Sequence, residues 1–133
     1  MIPTLNEESG IKQVLEDMPK GLVTLVVDGG STDETINVAK QHRATVINQR
    51  FGKGKGCGAR TGMEYFLGTE CNILCMIDGD GSNDPGELST MIEALENKHA
   101  EVVLGSRIRG KREKGAMGPF TIFSNLIVSL LLG

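Results

Sequence analysis

Residues 22–34 read Leu-Val-Thr-Leu-Val-Val-Asp-Gly-Gly-Ser-Thr-Asp-Glu, and this stretch decides the fold class. The run over 22–27 is apolar and β-branched, which is typical of a strand buried on both faces of a sheet. Two glycines suit a tight turn, and residues 31–34 resemble the N-terminus of a helix. A buried strand that passes through a turn into a helix is the repeating unit of α/β domains.

The same alternation extends over most of the chain. Strands are predicted over residues 2–5, 22–27, 44–48, 72–77 and 101–105. Helices are predicted over 7–18, from 31 onward and from Pro85, which we place as the first residue of its helix. Residues 53–67 are predicted to be a Gly-rich loop that runs into a further helix. This order predicts an α/β fold, with a mostly parallel sheet and helices on both faces. Ligands of such sheets bind beyond the carboxyl ends of the strands.

Acidic side chains follow three of the predicted strands. Asp78-Gly79-Asp80 comes directly after strand 72–77, Asp28 follows strand 22–27, and Glu7 follows strand 2–5. Two carboxylates one residue apart suit a hard divalent cation that shares oxygen ligands with substrate phosphates. A plain acidic turn is the alternative interpretation. An EF-hand is excluded, because its sixth and twelfth positions hold Asn83 and Ser89 instead of glycine and glutamate.

Basic groups follow two other strands. The loop Gly-Lys-Gly-Lys-Gly-Cys-Gly-Ala-Arg over 52–60 matches neither a Walker motif nor a dinucleotide fingerprint. Its cations, Lys53, Lys55 and Arg60, fit either a loop close to phosphate or a solvated basic loop, and the sequence does not choose between them. Arg107 stands at the end of the predicted fifth strand, where a guanidinium can hold a phosphate through two hydrogen bonds.

Composition narrows the class of protein. A chain of 133 residues with 39% hydrophobic residues is enough for one domain with a core. The net charge of −3 argues against a general nucleic-acid binder. Three cysteines without a CxxC spacing indicate free thiols in a reducing compartment rather than disulfides or a zinc site. No basic, apolar leader follows Met1, so we expect a cytoplasmic protein.

The C-terminal residues have a pattern of their own. Residues 107–114 carry five basic groups and one acid, and the uncharged run 120–132 follows. That run is shorter than the about 20 residues that a membrane-spanning helix needs. We therefore predict an α/β domain over 1–118 and an apolar, amphipathic helix over 119–133. The helix suits either the core or a membrane interface, and the basic run before it suits an anionic membrane surface.

Five segments together resemble the family 2 glycosyltransferases with the GT-A fold, especially the branch of dolichyl-phosphate mannose or glucose synthases. They are residues 2–8 (Ile-Pro-Thr-Leu-Asn-Glu-Glu), 27–35 (Val-Asp-Gly-Gly-Ser-Thr-Asp-Glu-Thr), 52–62, 77–80 (Ile-Asp-Gly-Asp) and 105–107 (Gly-Ser-Arg). They occur in the family's order over nearly the whole chain. The resemblance implies a Rossmann-like GT-A domain that binds a nucleotide sugar.

The resemblance also implies roles for individual residues. Contacts with the nucleoside are implied for Pro3, Leu5, Glu7, Asp28, Asp78 and Gly79. Asp80, with Ser82, would hold Mg²⁺ or Mn²⁺ on the diphosphate, and Arg107 would bind a phosphate of donor or acceptor; Asp80 and Arg107 are the implied catalytic residues. The family's Asp-Ala-Asp stands here as Asp-Gly-Asp, which we expect to loosen the turn while keeping both carboxylates.

The resemblance implies transfer of a hexose from a GDP-mannose or UDP-glucose type of donor to a polyprenyl or dolichyl phosphate, with inversion. The expected location is the cytoplasmic face of a membrane, reached through the C-terminal helix. Family members have apolar residues before the Pro3 strand and further elements after Gly133. We therefore expect either a fragment or a short form completed by a partner chain or oligomer. The alternatives are a nucleotidyltransferase on a related fold and a non-catalytic module that binds nucleotide or membrane.

Overall fold

A computed structural model describes residues 1–106 of the chain. The chain divides into two compact units, Met1–Glu101 and Val102–Gly133. The first unit contains, in order, β1 (Ile2–Thr4), α1 (Glu8–Glu16), β2 (Leu25–Asp28), α2 (Thr35–Gln41), β3 (Thr45–Asn48), α3 (Lys55–Leu67) and α4 (Glu87–Asn97). In the second unit, residues 102–106 have no regular secondary structure.

The three strands form a parallel sheet in the order β1-β2-β3. Val26 in the central strand lies opposite Ile2 on one side and Val46 on the other. All four residues of β2 are buried, as the continuous apolar run predicts for a strand covered on both faces. The predicted α/β class, with a parallel sheet and flanking helices, is confirmed.

Each face of the sheet has its own apolar cluster. Ile2 and Val26 pack with Ile11 of α1, and the same cluster includes Val14, Ala39, Ile77 and Leu88. On the opposite face, Met1, Leu25 and Val27 pack with Ile47, Ala59 and Leu74. Adjacent strand residues enter different clusters because side chains alternate between the two faces of a strand. Helices therefore cover both faces, and the loops after the strands share one edge.

The predicted fourth and fifth strands are wrong for the described residues. Segment 72–77 runs beside Met1, and only two backbone hydrogen bonds connect them, from Met1 N to Cys75 O (2.8 Å) and from Ile77 N to Met1 O (3.2 Å). Residues 101–105 belong to no ladder within residues 1–106. A strand requires a paired neighbour, and an apolar sequence run does not reveal whether that neighbour is present.

Three predicted boundaries also shift. The second strand begins at Leu25 instead of Leu22, and the second helix begins at Thr35 instead of residue 31. The fourth helix begins at Glu87, so Pro85 is not its first residue. Pro85 lies instead within two successive turns, in which Glu87 N donates to Asp84 O (3.2 Å) and Leu88 N donates to Pro85 O (3.1 Å).

Several predictions lie outside the described residues. They concern Arg107, the basic run 107–114, the boundary between 118 and 119, and the apolar helix over 119–133. Within residues 1–106, no helix has both the length and the apolar character needed to cross a bilayer.

Candidate functional site

The loops that follow β1 and β2 lie side by side and are hydrogen-bonded to each other. Thr4 and Asp28, the last residues of the two strands, are opposite each other in the ladder. Asn6 N donates to Ser31 Oγ (2.9 Å), and Thr32 N donates to Asn6 Oδ1 (2.8 Å). Asn6 has a φ of 57°, a left-handed conformation that asparagine tolerates better than most residues. The two sequence motifs at residues 2–8 and 27–35 thus form one structural unit.

Thr35 makes the most buried of these connections. Its side chain has no solvent exposure. Its Oγ1 accepts a hydrogen bond from Glu7 N (2.9 Å) and donates one to Asp33 Oδ1 (2.5 Å). The other oxygen of Asp33 accepts from Glu8 N (3.1 Å). The hydroxyl of Thr35 lowers the pKa of the Asp33 carboxyl below its ordinary value, with the backbone N–H groups of Thr35 and Glu8 acting in the same direction.

The Asp28 carboxylate organises the turn after β2. Asp28 is 2% exposed, and its Oδ2 accepts hydrogen bonds from Gly30 N (2.8 Å) and Ser31 N (3.0 Å). A buried carboxylate needs such donors, because leaving it without them would be costly. Asp28 therefore has a structural role, which the sequence did not predict. Its predicted contact with a nucleoside stays a prediction.

The other predicted nucleoside contacts lie along β1 and the loop after it. Leu5 is 54% exposed despite its apolar side chain. Glu7 is half-buried and stands at the N-cap of α1. Pro3 is half-buried against α3, where a Cβ on Gly58 would lie 3.3 Å from the Pro3 Cβ. These residues present one exposed apolar group and one carboxylate at the carboxyl edge of the sheet.

The acidic turn, residues 78–80, packs directly on α1 and β1. A Cβ on Gly10 of α1 would lie 2.5 Å from the Asp80 carbonyl carbon and 2.7 Å from Gly79 O. Gly79 is buried, and a Cβ there would lie 2.8 Å from Thr4 Cγ2. Glycine at position 79 allows the backbone of the turn to approach β1 closely. The loosening of the turn that we expected from glycine stays a prediction.

The two carboxylates of the acidic turn have different surroundings. Asp78 forms an ion pair with Lys55, the first residue of α3. Asp80 is exposed, and its Oδ1 accepts a hydrogen bond from Ser82 N (2.8 Å). The Ser82 hydroxyl accepts a weak hydrogen bond from Asn83 Nδ2 (3.3 Å). The turn therefore holds the Asp78 carboxylate beside a cation, and Asp80 is exposed at the surface.

The donor set fits a divalent cation only in part. Within residues 1–106, no three His, Cys, Asp or Glu side chains form a group that could enclose a metal ion. Mg²⁺ and related ions are, however, commonly bound by one or two carboxylates together with water and substrate phosphates. The exposed Asp80 carboxylate meets that requirement. The residues fit an ion that is shared with a bound diphosphate.

Among the loop cations that the sequence left open, only Lys55 contacts the acidic turn. Its place at the start of α3, beyond the carboxyl end of β3, brings it to the same edge as Asp78. Arg60 points elsewhere: its guanidinium lies 4.0 Å from the centroid of the Phe51 ring, and its Nε lies 3.5 Å from Glu64 Oε1. Lys53 is exposed. The only sequence signal for Lys55 was the Gly-rich run 52–60, and that run does not indicate whether Lys53 or Lys55 contacts the acidic turn.

The carboxyl edge of the sheet therefore collects most of the predicted site. The structure brings together the loops after β1 and β2, the acidic turn and Lys55. Arg107, the predicted phosphate ligand, lies outside the described residues.

The chain is similar in sequence to known glycosyltransferases. An uncharacterized glycosyltransferase of Mycobacterium tuberculosis is 38% identical over 107 residues, which cover 80% of this chain and 47% of that protein. The glycosyltransferase AglJ of Haloferax volcanii is 33% identical over 131 residues, which cover 97% of this chain and 42% of that protein. The chain thus spans less than half the length of these two relatives.

Solved structures agree with the fold. Glucosyl-3-phosphoglycerate synthase from Mycobacterium tuberculosis, crystallised with UDP, superposes with a TM-score of 0.60 at 28% identity over 71% of this chain and 38% of that one. A second structure of that enzyme contains Mn²⁺, UDP-glucose and phosphoglyceric acid (TM-score 0.59, 27% identity, 71% and 37% coverage). The likeness supports the predicted GT-A fold. Residues 1–130 match the family model of glycosyl transferase family 2, so the chain belongs to that family.

Proposed function

We propose that this chain binds the nucleoside diphosphate part of a nucleotide sugar and takes part in transferring the sugar to an acceptor. The observation that carries the proposal is the acidic turn, whose backbone is fixed against α1 and β1 beside the connected loops. Glucosyl-3-phosphoglycerate synthase, a similar protein, was crystallised with UDP-glucose and Mn²⁺, which supports a metal-dependent nucleotide-sugar site of the same class.

Each site residue has a role in this proposal. The exposed side chain of Leu5 and the ring of Pro3 offer apolar contact to a base, and Glu7 and Asp28 supply acceptors for its polar groups. Asp78 and Gly79 approach the nucleoside. The Lys55 ammonium, held by Asp78, lies where it would compensate negative charge on the donor.

Asp80, with Ser82, would hold Mg²⁺ or Mn²⁺. That ion would neutralise negative charge as the nucleoside diphosphate departs. The protein's contribution to the step is to hold the Asp80 carboxylate in place, and its backbone position depends on contact with Gly10. An acceptor that attacks the anomeric carbon opposite the departing diphosphate would invert the configuration. A phosphate acceptor is already anionic at neutral pH, so this attack needs no strong general base.

The donor proposal is tested by calorimetry with UDP-glucose and GDP-mannose, each with and without Mn²⁺. We expect Mn²⁺-dependent binding of one of them. Replacing Asp80 by Asn should weaken binding in Mn²⁺ by roughly tenfold or more, since a lost charge-assisted contact costs about 1.5–3 kcal/mol. Glu93→Gln, which removes an exposed carboxylate from α4, is the matched control and should bind as the wild type. Equal binding with and without Mn²⁺ would contradict the metal role of Asp80.

For the acceptor we propose a polyprenyl phosphate at the cytoplasmic face of a membrane. The basic run 107–114 and the uncharged run 120–132 support it, because such a sequence suits an anionic surface with an apolar interior. The similarity to glucosyl-3-phosphoglycerate synthase supports a second candidate, a small phosphorylated acid such as phosphoglycerate. Incubation with the identified donor and either acceptor distinguishes them. Transfer to phosphoglycerate alone would overturn the lipid proposal.

The same incubation tests the alternative chemistry. A nucleotidyltransferase would release pyrophosphate from a nucleoside triphosphate and a sugar phosphate, and a glycosyltransferase would release a nucleoside diphosphate from the sugar nucleotide. We also propose that a partner chain or an oligomer takes part in turnover. The acceptor incubations are therefore run on the oligomeric or partner-bound form, in which we expect transfer.

A further inference from the structure

The connection between β3 and α3, residues 49–54, has a backbone that needs support from its surroundings. We call it the β3–α3 loop. Phe51, Gly52 and Gly54 all have a positive φ, of 68°, 106° and 96°. This left-handed region is unfavourable for a bulky residue such as phenylalanine. Such a conformation persists only where neighbouring groups hold it.

The start of α3, which follows the loop, is also weak by itself. Its N-cap residue, Gly54, makes no side-chain hydrogen bond to the helix, and Gly56 and Gly58 lie among its first four residues. Glycine is a poor helix former, and no acidic side chain in the first turn complements the helix dipole. The first turn of α3, which contains Lys55, therefore depends on contacts from outside it.

Thr61 supplies such a contact to both segments. It is 1% exposed. Its hydroxyl accepts a hydrogen bond from Arg50 N (2.9 Å) and donates one to Cys57 O (2.7 Å). Arg50 directly precedes the left-handed backbone, and Cys57 belongs to the first turn of α3. One buried hydroxyl thus connects the loop to the helix that follows it.

Two other contacts of the loop are nearer the surface. Cys57 Sγ donates to Phe51 O (3.0 Å), but a thiol is a weak donor. The Arg50 guanidinium lies 3.2 Å from the Glu64 carboxylate, and these side chains are 61% and 39% exposed. Water screens an exposed ion pair, and the ordering of two long side chains opposes it, so such a pair contributes little. The hydroxyl of Thr61 is therefore the main fixed point of the loop.

The position of the loop matters because Lys55 contacts the acidic turn. Lys55 is the first residue of α3 and forms an ion pair with Asp78. A lysine has a long, flexible side chain, so its reach to a carboxylate depends on where its backbone is held. The Thr61 hydroxyl holds the loop before Lys55 and Cys57 after it. Thr61 thereby acts on the acidic turn through Lys55.

A purely structural hydroxyl is the alternative interpretation of Thr61. Threonine inside a helix commonly donates to the carbonyl four residues earlier, as Thr61 does to Cys57 O. That tendency does not explain the hydrogen bond from Arg50 N, which comes from outside the helix and eleven positions earlier in the chain. This second hydrogen bond favours a role in placing the loop.

From these contacts we infer that Thr61 is a positioning residue for the nucleotide sugar. Its hydroxyl fixes the β3–α3 loop and the start of α3, and this places the Lys55 ammonium at the acidic turn before the donor binds. The inference rests on the proposed function, in which Lys55 compensates negative charge on the donor. A site that is ordered in advance loses less entropy on binding, so removal of the hydroxyl should weaken donor binding.

Calorimetry in Mn²⁺ tests this role, with whichever of UDP-glucose and GDP-mannose the wild-type chain binds. Thr61→Val keeps the shape and removes the hydroxyl, and we expect it to raise Kd roughly five- to tenfold, as the loss of one hydrogen bond would. Thr61→Ser keeps the hydroxyl and should stay within about twofold of the wild type. Thr69→Val makes the same change beyond the other end of α3 and should bind as the wild type does.

The same substitution in a Lys55→Met background separates positioning from a general loss of structure. Because Thr61 acts through Lys55, Thr61→Val should change Kd by less than about twofold once the lysine is absent. Equal weakening in both backgrounds, or a Thr61→Val variant that binds as the wild type does, would overturn the inference. Failure of the wild type to bind either nucleotide sugar would instead contradict the proposed function.

Two measurements without donor test the positioning role in that case as well. By NMR, Lys55→Met gives the shift of the Asp78 amide that accompanies loss of the ion pair, and Thr61→Val should move this amide in the same direction. In the wild type, the Arg50 amide should exchange at least about tenfold more slowly than the amide of the exposed Lys53. The exchange measurement needs no variant, so it covers a Thr61→Val protein that does not fold. An unmoved Asp78 amide, or equal exchange at Arg50 and Lys53, would contradict the role of Thr61.

Discussion

The two ends of the sheet are built in opposite ways. At the carboxyl end, backbone and side-chain groups are paired in detail: Asp28, Asn6 and Thr35 connect two loops, and Gly10 lets α1 contact the acidic turn. At the amino end, Val23 forms no backbone hydrogen bond within residues 1–106, and its apolar side chain is 80% exposed. The described part of the sheet therefore has many polar contacts at one end and few at the other.

The contacts that position the site are therefore different from the hydrogen bonds that connect the strands of the sheet. The acidic turn is placed by close packing on Gly10 and Thr4, whereas segment 72–77 before it makes only two hydrogen bonds with Met1. Binding residues are effective when their neighbours fix them within a fraction of an ångström. The contacts of Gly10 and Thr4 with the acidic turn fix the turn in this way. The site therefore does not require segment 72–77 to form a long strand ladder.

The largest effect is expected from Gly10→Ala, which should displace the acidic turn at the carboxyl end of the sheet. The added Cβ would lie 2.5 Å from the Asp80 carbonyl carbon, so the backbone of the acidic turn must move. Overpacking of this kind costs about 1–3 kcal/mol, or roughly 4–12 °C in Tm for a chain of this size. Thermal unfolding measures the loss, and calorimetry with the donor should show weaker binding.

Gly56→Ala is the matched control for that substitution. Gly56 lies in α3, and a Cβ there would meet nothing within 4 Å. Alanine should be neutral or should stabilise by about 0.5–1 kcal/mol, because glycine is a poor helix former. If the two variants had the same Tm, the contact between α1 and the acidic turn would not be as close as described.

The next effect is expected from Thr35→Val, which removes the buried hydroxyl that connects the two loops. Glu7 N would lose its acceptor, and Asp33 would lose a donor. A buried group left without its partner costs about 1–3 kcal/mol. The free energy of unfolding in urea measures this loss.

Thr4→Val provides a matched control with the same change of atoms. The Thr4 hydroxyl oxygen is buried and has no hydrogen-bond partner among residues 1–106. Replacing it by a methyl group should leave stability unchanged or raise it slightly, since an unpaired buried hydroxyl is unfavourable. Equal destabilisation by both substitutions would mean that the Thr35 hydrogen bonds add nothing beyond packing.

A smaller effect should appear at the amino end as a dependence on pH. Burial lowers the pKa of the Met1 amine, so the folded chain releases this proton at a lower pH than the unfolded chain does. Between the lowered pKa and the ordinary value of about 8, the unfolded state binds more protons, and stability therefore rises with pH. Above about pH 8 the contribution is constant. The protein acetylated at Met1 should lack this rise in Tm between neutral and mildly alkaline pH, and an identical pH profile would contradict the buried amine.

The smallest effect is expected at Asp33, whose carboxylate is at the surface. Its pKa is lowered by the Thr35 hydroxyl, so its contribution to stability is present above the ordinary carboxyl pKa of about 3.9 and is lost as the pH falls below it. Asp33→Asn should lower Tm slightly at pH 7 and reduce the further loss on acidification. A larger decrease in Tm on acidification in the variant than in the wild type would contradict the lowered pKa of Asp33.

The sequence predicted the helices and the buried strand from local patterns. The period of apolar residues indicated α1 and α3, and the β-branched run indicated β2. It did not predict that segments 72–77 and 101–105 lack a ladder, since pairing depends on neighbours that are distant in the chain. For the same reason, the positions of the carboxylates after the predicted strands indicated that they belong to the site, but they did not predict the contact between Lys55 and Asp78.

The sequence also did not predict the structural role of Thr35. Residues 27–35 were interpreted as a nucleotide-binding motif, whereas several of their described hydrogen bonds hold the neighbouring loop. Such contacts depend on the ladder that places β1 beside β2, and no local pattern contains that information.

The contacts of Gly79 also limit which substitutions the chain can accept. A Cβ at position 79 and the methyl group of Thr4 compete for the same volume, and a Cβ at position 10 competes with the backbone beyond it. Alanine at position 79 is therefore expected to fit this chain better when serine, which lacks the methyl group, replaces Thr4.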